Sequence, residues 1–191
     1  MSPAIPPKHP YWQLRALAHD QSHRISKFNL SYYEYVPQSL LDTRQLLAVS
    51  LEEFLNEEFI GHVIQSTPSG SDLAFHSQVT TRDSHELHIP MVDMSTGSVA
   101  LLEKLRPFLS ATVFEKFKWY KSGRSFHGYA NALVDPKEWA SLMGKLLLVN
   151  QKGLYPTVDP RWIGHRLIAG YSALRWTKNT AHYIELPRAI D

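Results

Sequence analysis

The stretch HELHIPMVDMST, His85 to Thr96, carries two histidines separated by two residues and then an apolar run that ends on Asp93. A strand sends side chains three positions apart to opposite faces, so His85 and His88 on a strand would not share a metal; both are expected at a surface or an edge. Asp93 is more informative, because it stands where a strand would hand over to a helix. His127, in SFHGYANALV, and Asp159, after LYPTV, occupy comparable positions later in the chain. Two carboxylates with a histidine and nearby cations suit metal-assisted phosphoryl chemistry. Hard oxygen ligands take magnesium or manganese, while His, Arg or Lys bind phosphates. Cations are at hand: KFKWYKSGR spans Lys116 to Arg124, and Arg161, Arg166, Arg175 and Lys178 follow with no acid among them. Taken singly, a strand-end aspartate is an ordinary cap and a strand histidine an ordinary hydrogen-bonding residue. Any chemistry therefore depends on elements that bring the three together.

Those elements read most clearly in the second half. ELHIPMVDM predicts a buried strand, with Pro90 counting against full pairing. Thr96 can cap a helix bearing Val99, Leu102 and Leu105 on one face. FEKFKWYK, the turn SGRS and SFHGYANALV form a hairpin pattern. Asp135, Pro136 and Glu138 then mark a strong helix start, with Trp139, Leu142, Met143, Leu146 and Val149 as the buried stripe. PRWIGHRLIAG is of uncertain type, and YSALRWT reads as a strand. The order from Glu86 onward is β-α-β-β-α-β, the ferredoxin-like arrangement shared by RNA-recognition folds, in which the first and third strands are central neighbours. That arrangement would put Asp93 and His127 on one surface. Earlier in the chain, RISKFNLSYYEYV (24–36) predicts a strand. A helix is expected from near Pro37, with Leu40, Leu41, Leu47, Leu51, Phe54 and Leu55 on one face, and FIGHVIQ and LAFHSQVTT predict further strands.

Composition sets the outer bounds. A chain of 191 residues, 43% hydrophobic and 20% charged with mixed signs, predicts a globular protein with a substantial core, and the strand and helix patterns above make its class α+β. No apolar run approaches the roughly 18 residues of a membrane span. The proline-rich start lacks signal-peptide character, so a cytoplasmic protein with no membrane association is expected, its residues 1–10 a poorly ordered arm. Zero cysteines exclude disulfides and thiolate-held metals, leaving carboxylate and imidazole as ligands. A net charge of +2 does not by itself indicate nucleic-acid binding; the clustering of cations does more.

VDMS (92–95), SGRSFH (122–127), VD (158–159) and ALRWTKN (173–179) resemble, in order and spacing, the motifs of the archaeo-eukaryotic primase superfamily, the primase-polymerases. The resemblance covers about the last hundred residues. It implies an RRM-like βαββαβ catalytic-type module at 86–191, packed with an N-terminal α/β unit at 11–85 as one compact whole. It also implies Asp93 and Asp159 as catalytic ligands of Mg2+ or Mn2+, and Ser125, His127, Arg124, Arg175 and Lys178 as nucleotide-binding residues. Its expected partners are a nucleoside triphosphate and single-stranded or primed DNA, with RNA as an alternative, together with a helicase or a defence-system protein. The expected reaction is attack of a 3′-hydroxyl on the α-phosphate.

One position departs from the family pattern: Ser95 stands where a second acid is expected. Two carboxylates set formal charge −2 against the +4 of a metal pair, so a single metal is the natural occupant. This raises a second reading, a catalytically inactive primase-like module that binds nucleotide or nucleic acid, with Phe117, Trp119, Tyr120, Phe126 and Tyr129 either stacking on bases or simply forming core. A third, a relaxation-type nuclease, requires two histidines on one strand face and a tyrosine on a late helix. The same-face neighbours of His88 are Glu86 and Pro90, and residues 136–149 contain no tyrosine.

Overall fold

A computed structural model describes residues 4–190, and its architecture is α+β with two antiparallel sheets. The first sheet runs β2 (Arg44–Ser50), β1 (Ile25–Tyr33), β3 (Asp72–Thr81), β4 (Glu86–His88), and β8 (Ala173–Arg175) also pairs with β3. The second runs β5 (Met91–Asp93), β7 (Ser125–Ala130), β6 (Phe117–Ser122), β9 (Arg188–Ala189). Among the described residues no helix is long and apolar enough to cross a membrane.

Alternation along β7 shows how the sheets are filled. Phe126 and Ala130 enter one apolar cluster with Val92, Trp139 and Leu146, whereas Tyr129 enters another with Met91, Phe28, Phe75 and Trp176. The second sheet is thus covered on both faces: by α5 (Pro136–Leu148) and its neighbours on one side, and by residues of the first sheet on the other. The capping box predicted at Asp135 and Glu138 is present, and Trp139, Leu142, Met143, Leu146 and Val149 are all buried. The β6–β7 hairpin also forms as expected. Gly123 supplies the left-handed φ of 80° that its two-residue turn requires.

The first half departs from expectation. Residues 4–10, expected as part of a poorly ordered arm, include turns that lead into α1 (Tyr11–Asp20). Ile5 and His9 are buried, and His9 Nε2 lies 2.9 Å from the carbonyl oxygen of Trp176. The expectation for residues 1–3 lies outside the described residues. Residues 44–50 pair with β1 along their whole length instead of forming a helix, and Leu40 and Leu41 lie exposed on the preceding loop. Only α2 (Leu51–Leu55) is helical there, started by a Ser50–Glu53 capping box. FIGHVIQ is helical too, within α3 (Glu57–Gln65): Asn56 accepts from the backbone N–H groups of Glu58 and Phe59, and two glutamates occupy the first turn.

In the second half, Pro90 splits ELHIPMVDM into β4 and β5, which belong to different sheets. Thr96 accepts from Ser98 N–H ahead of a 3₁₀ helix, Val99–Leu105, in which Leu102 and Leu105 are buried and Val99 is exposed. A short α4 (Ala111–Phe114) follows, and 160–169 forms α6 (Pro160–Ala169). YSALRWT does contain a strand, β8, but it joins the first sheet and so departs from the β-α-β-β-α-β pattern. The free side of β5 is taken instead by residues 157–159, through a bridge from Met94 to Val158 and hydrogen bonds from Ser95 N–H to Thr157 O (2.9 Å) and Asp159 N–H to Asp93 O (3.0 Å).

Candidate functional site

Asp93 and His127 are direct partners across β5 and β7, so strand pairing alone sets their side chains on one face. His127 Nε2 is 3.7 Å from Asp93 Oδ1. Burial and the Arg175 guanidinium hold His127 well below the usual histidine range, so the ring is neutral and that contact is not an ion pair. Its Nδ1 is buried without a hydrogen-bond partner among the described residues. Asp159 arrives from the other side of β5 by the backbone bond to Asp93. Its Oδ1 accepts from Arg161 N–H (2.8 Å) and Trp162 N–H (3.1 Å), making Asp159 the N-cap of α6. The cap uses one carboxylate oxygen; Oδ2 receives no hydrogen bond among the described residues.

Crowding of these acids has an electrostatic consequence. Burial, and then the neighbouring Asp159 carboxylate, push the Asp93 carboxyl up to about 8, against the pull of Arg175 and Arg166. Arg175 comes from β8, where it pairs with Ala74. It donates to Thr177 O, to Ser122 Oγ (2.8 Å) and to Glu185 O (3.1 Å), and its guanidinium lies over the Tyr183 ring at 4.0 Å. No carboxylate pairs with it among the described residues. It is a buried cation held on neutral acceptors, with its charge directed at whatever enters the cavity.

Asp93, His127, Asp159 and Arg175 line a single cavity. A second charged group borders it: Asp42, on the loop before β2, accepts from Arg44 Nε (2.9 Å) and from Arg166. Arg166 Nη1 is buried with no partner among the described residues. The three other proposed residues are not in the cavity wall. Arg124 is exposed at the tip of the β6–β7 hairpin, Ser125 pairs with Ser122 at the base of that turn, and Lys178 is exposed beyond β8. Asp42, Arg44 and the tyrosines Tyr33, Tyr35 and Tyr183 line the cavity and carry no motif, so nothing local marks them. Arg161 and Arg166 did carry a signal, belonging to the acid-free cationic run.

The donor set fits a hard divalent cation. Magnesium is commonly held by one or two carboxylates with phosphate and water oxygens completing its shell, and Asp93 with Asp159 supplies that many. No group of three or more His, Asp or Glu residues positioned to hold a metal ion occurs among the described residues, so the protein alone does not build a closed metal cage.

His85 is exposed, as expected for an edge residue, but His88 is fully buried. It contacts Ser77 Oγ (3.0 Å) and Glu86 Oε1 (2.9 Å) and stacks on Trp139 at 4.9 Å. The Ser–His–Glu order resembles a nucleophile relay. Ser77, however, is wholly buried, accepts from Ser172 N–H (2.8 Å) and lies outside the cavity lined by Asp93 and Asp159, so the trio serves packing.

Fold and site together define an α+β protein whose paired sheets hold two acids, a neutral histidine and a buried arginine around one cavity. The sequence model of the family described as archaeo-eukaryotic primase 1D-like matches residues 52–188, more than half of the chain, and the protein belongs to that family. Comparisons with curated proteins and with solved structures each give no match.

Proposed function

We propose that this protein is a primase-polymerase-like nucleotidyltransferase domain that binds a nucleoside triphosphate, a divalent metal and nucleic acid at the Asp93–Asp159 cavity. The observation that carries the reading is the convergence of Asp93, His127, Asp159 and Arg175, drawn from four separate segments, on one cavity. Mg2+ or Mn2+ bound by Asp93 and Asp159 would supply neutralisation of phosphate charge and polarisation of the attacked phosphoryl group. Arg175 binds the triphosphate through charge-assisted hydrogen bonds. His127, neutral, offers a ring N–H to a phosphate oxygen without adding charge. Asp159 fixes the start of α6 while presenting its free oxygen to the cavity. Arg124, Ser125 and Lys178, which lie outside the cavity wall, are placed by this reading along the path of the nucleic-acid strand. The protein belongs on this account to the cytoplasm, with single-stranded or primed DNA as template, RNA as the alternative, and a helicase or defence-system protein as partner.

Ser95 favours the second reading, a primase-like module that binds without polymerising, because the first motif then lacks its second acid. A priming and extension assay on DNA and RNA templates in Mg2+ and Mn2+ separates the two. The first reading expects extension that disappears in Asp93→Ala and rises in Ser95→Asp. Nucleotide binding with no extension by wild type, and none by Ser95→Asp, selects the second.

A further inference from the structure

We propose that the cavity ends in an aromatic wall, formed by Tyr35 and Tyr183, that stacks on the nucleobase of the bound nucleoside triphosphate. This inference rests on the function proposed above and assigns the part of the substrate that the acids and arginine leave unaddressed.

Both rings line the cavity, and neither belongs to any of the buried apolar clusters. Tyr183 is clamped. Its ring lies over the Arg175 guanidinium at 4.0 Å, and its hydroxyl meets the Tyr33 hydroxyl at 3.0 Å. Tyr35 meets Tyr183 with ring centroids 6.1 Å apart and His182 edge-on at 5.4 Å, yet it remains 46% exposed. A large aromatic that stays half in solvent gains little from its own fold, whereas a planar ligand would cover it. The position also suits a nucleotide. Arg175 is the joint between the two regions: it lines the cavity together with Asp93 and Asp159, and its flat face carries Tyr183. Phosphates held at Arg175 would therefore place the sugar and base toward Tyr183 and Tyr35. Stacking on an aromatic face tolerates every base, which matches a template-directed enzyme that must accept each nucleotide in turn.

The test is calorimetric titration of the full chain, in Mn2+, with a non-hydrolysable nucleoside triphosphate and separately with inorganic tripolyphosphate. The proposal expects the nucleotide to bind more tightly than tripolyphosphate. Tyr35→Ala should weaken the nucleotide by roughly tenfold, the scale of one lost base stack, and leave tripolyphosphate within about twofold; Tyr35→Phe should keep both. Because Tyr35 is half exposed and outside the apolar clusters, its substitutions should leave the fold intact, and Tyr183→Phe, which retains the ring, should also preserve nucleotide affinity. Equal binding of the two ligands by wild type, or equal loss of both in Tyr35→Ala, overturns the wall while leaving the phosphate site standing. Loss confined to single-stranded DNA binding overturns it in favour of a template contact. Failure of wild type to bind either ligand overturns the wall together with the function on which it rests.

Discussion

Asp159 shows how one side chain can hold both an element and a charge. Its Oδ1 closes the first turn of α6, and its carboxylate is, after burial, what disfavours ionisation of Asp93. The two roles separate by substitution. Asparagine caps helices about as well as aspartate, whereas alanine typically costs about 1 kcal/mol. Asp159→Asn should therefore match wild type in urea denaturation and lose Mn2+ binding by calorimetry, while Asp159→Ala should lose both. An Asn variant as unstable as Ala would show that the cap contributes nothing. The three residues that could do chemistry, Asp93, His127 and Asp159, were legible because each sits at the end of a patterned segment. Asp42 was not, nor was its pairing with Arg166, because that contact spans 124 positions and Asp42 carries no local pattern.

At the level of elements, the second half was readable where local rules and long-range pairing agree. The hairpin and α5 carry their own turn and cap chemistry. Between 37 and 65 they disagree: leucines spaced for a helical face instead divide between an exposed loop, β2 and α2, because β1 offers seven partners to residues 44–50. Likewise, FIGHVIQ is too short for its β-branched residues to outweigh the Asn56 cap. Strand β7 depends on a comparable fit. Trp119 lies across Gly128 on the neighbouring strand, where an added Cβ would come 2.6 Å from the ring. Gly128 is adjacent to His127, so this contact bears on the site as well as on packing. Gly128→Ala is expected to destabilise by about 1–3 kcal/mol through overpacking, and Trp119→Leu should recover most of that in the double variant. Denaturation of the single and double variants checks it; a loss in Gly128→Ala that persists unchanged once Trp119→Leu is added would refute the ring as its cause.

Across the whole molecule, the two sheets are joined by segments distant in sequence. β8 leaves the neighbourhood of α6 to pair with β3, Trp176 follows it into the core of the first sheet, and the N-terminal segment closes over Trp176 through His9. Tyr11 N–H donates to His9 Nδ1 at 3.1 Å, which leaves the proton on Nε2 to meet the Trp176 carbonyl. Burial lowers His9 to about 4, and burial with the nearby Arg44 and Arg166 lowers His76 to about 3, from an ordinary 6.5. Both are neutral in the fold, so at these two sites the unfolded chain binds more protons at acid pH and their contribution to stability is lost as pH drops below 6.5, while Asp93, raised to about 8, contributes in the opposite sense as pH falls below 8. The loss runs down to about pH 4 for His9 and further for His76. At 1.36 kcal/mol per unit, His9 accounts for about 3 kcal/mol of it. The His9 contribution is read as the difference between wild type and a His9 variant in urea midpoints from about pH 7.5 to about pH 4.5, in which the Asp93 contribution cancels. His9→Asn, which keeps an acceptor for Tyr11 N–H but cannot titrate, should close on wild type as pH falls, from a lower starting stability. An unchanged slope would mean that His9 is protonated in the folded protein and that the N-terminal segment does not seal Trp176 from water.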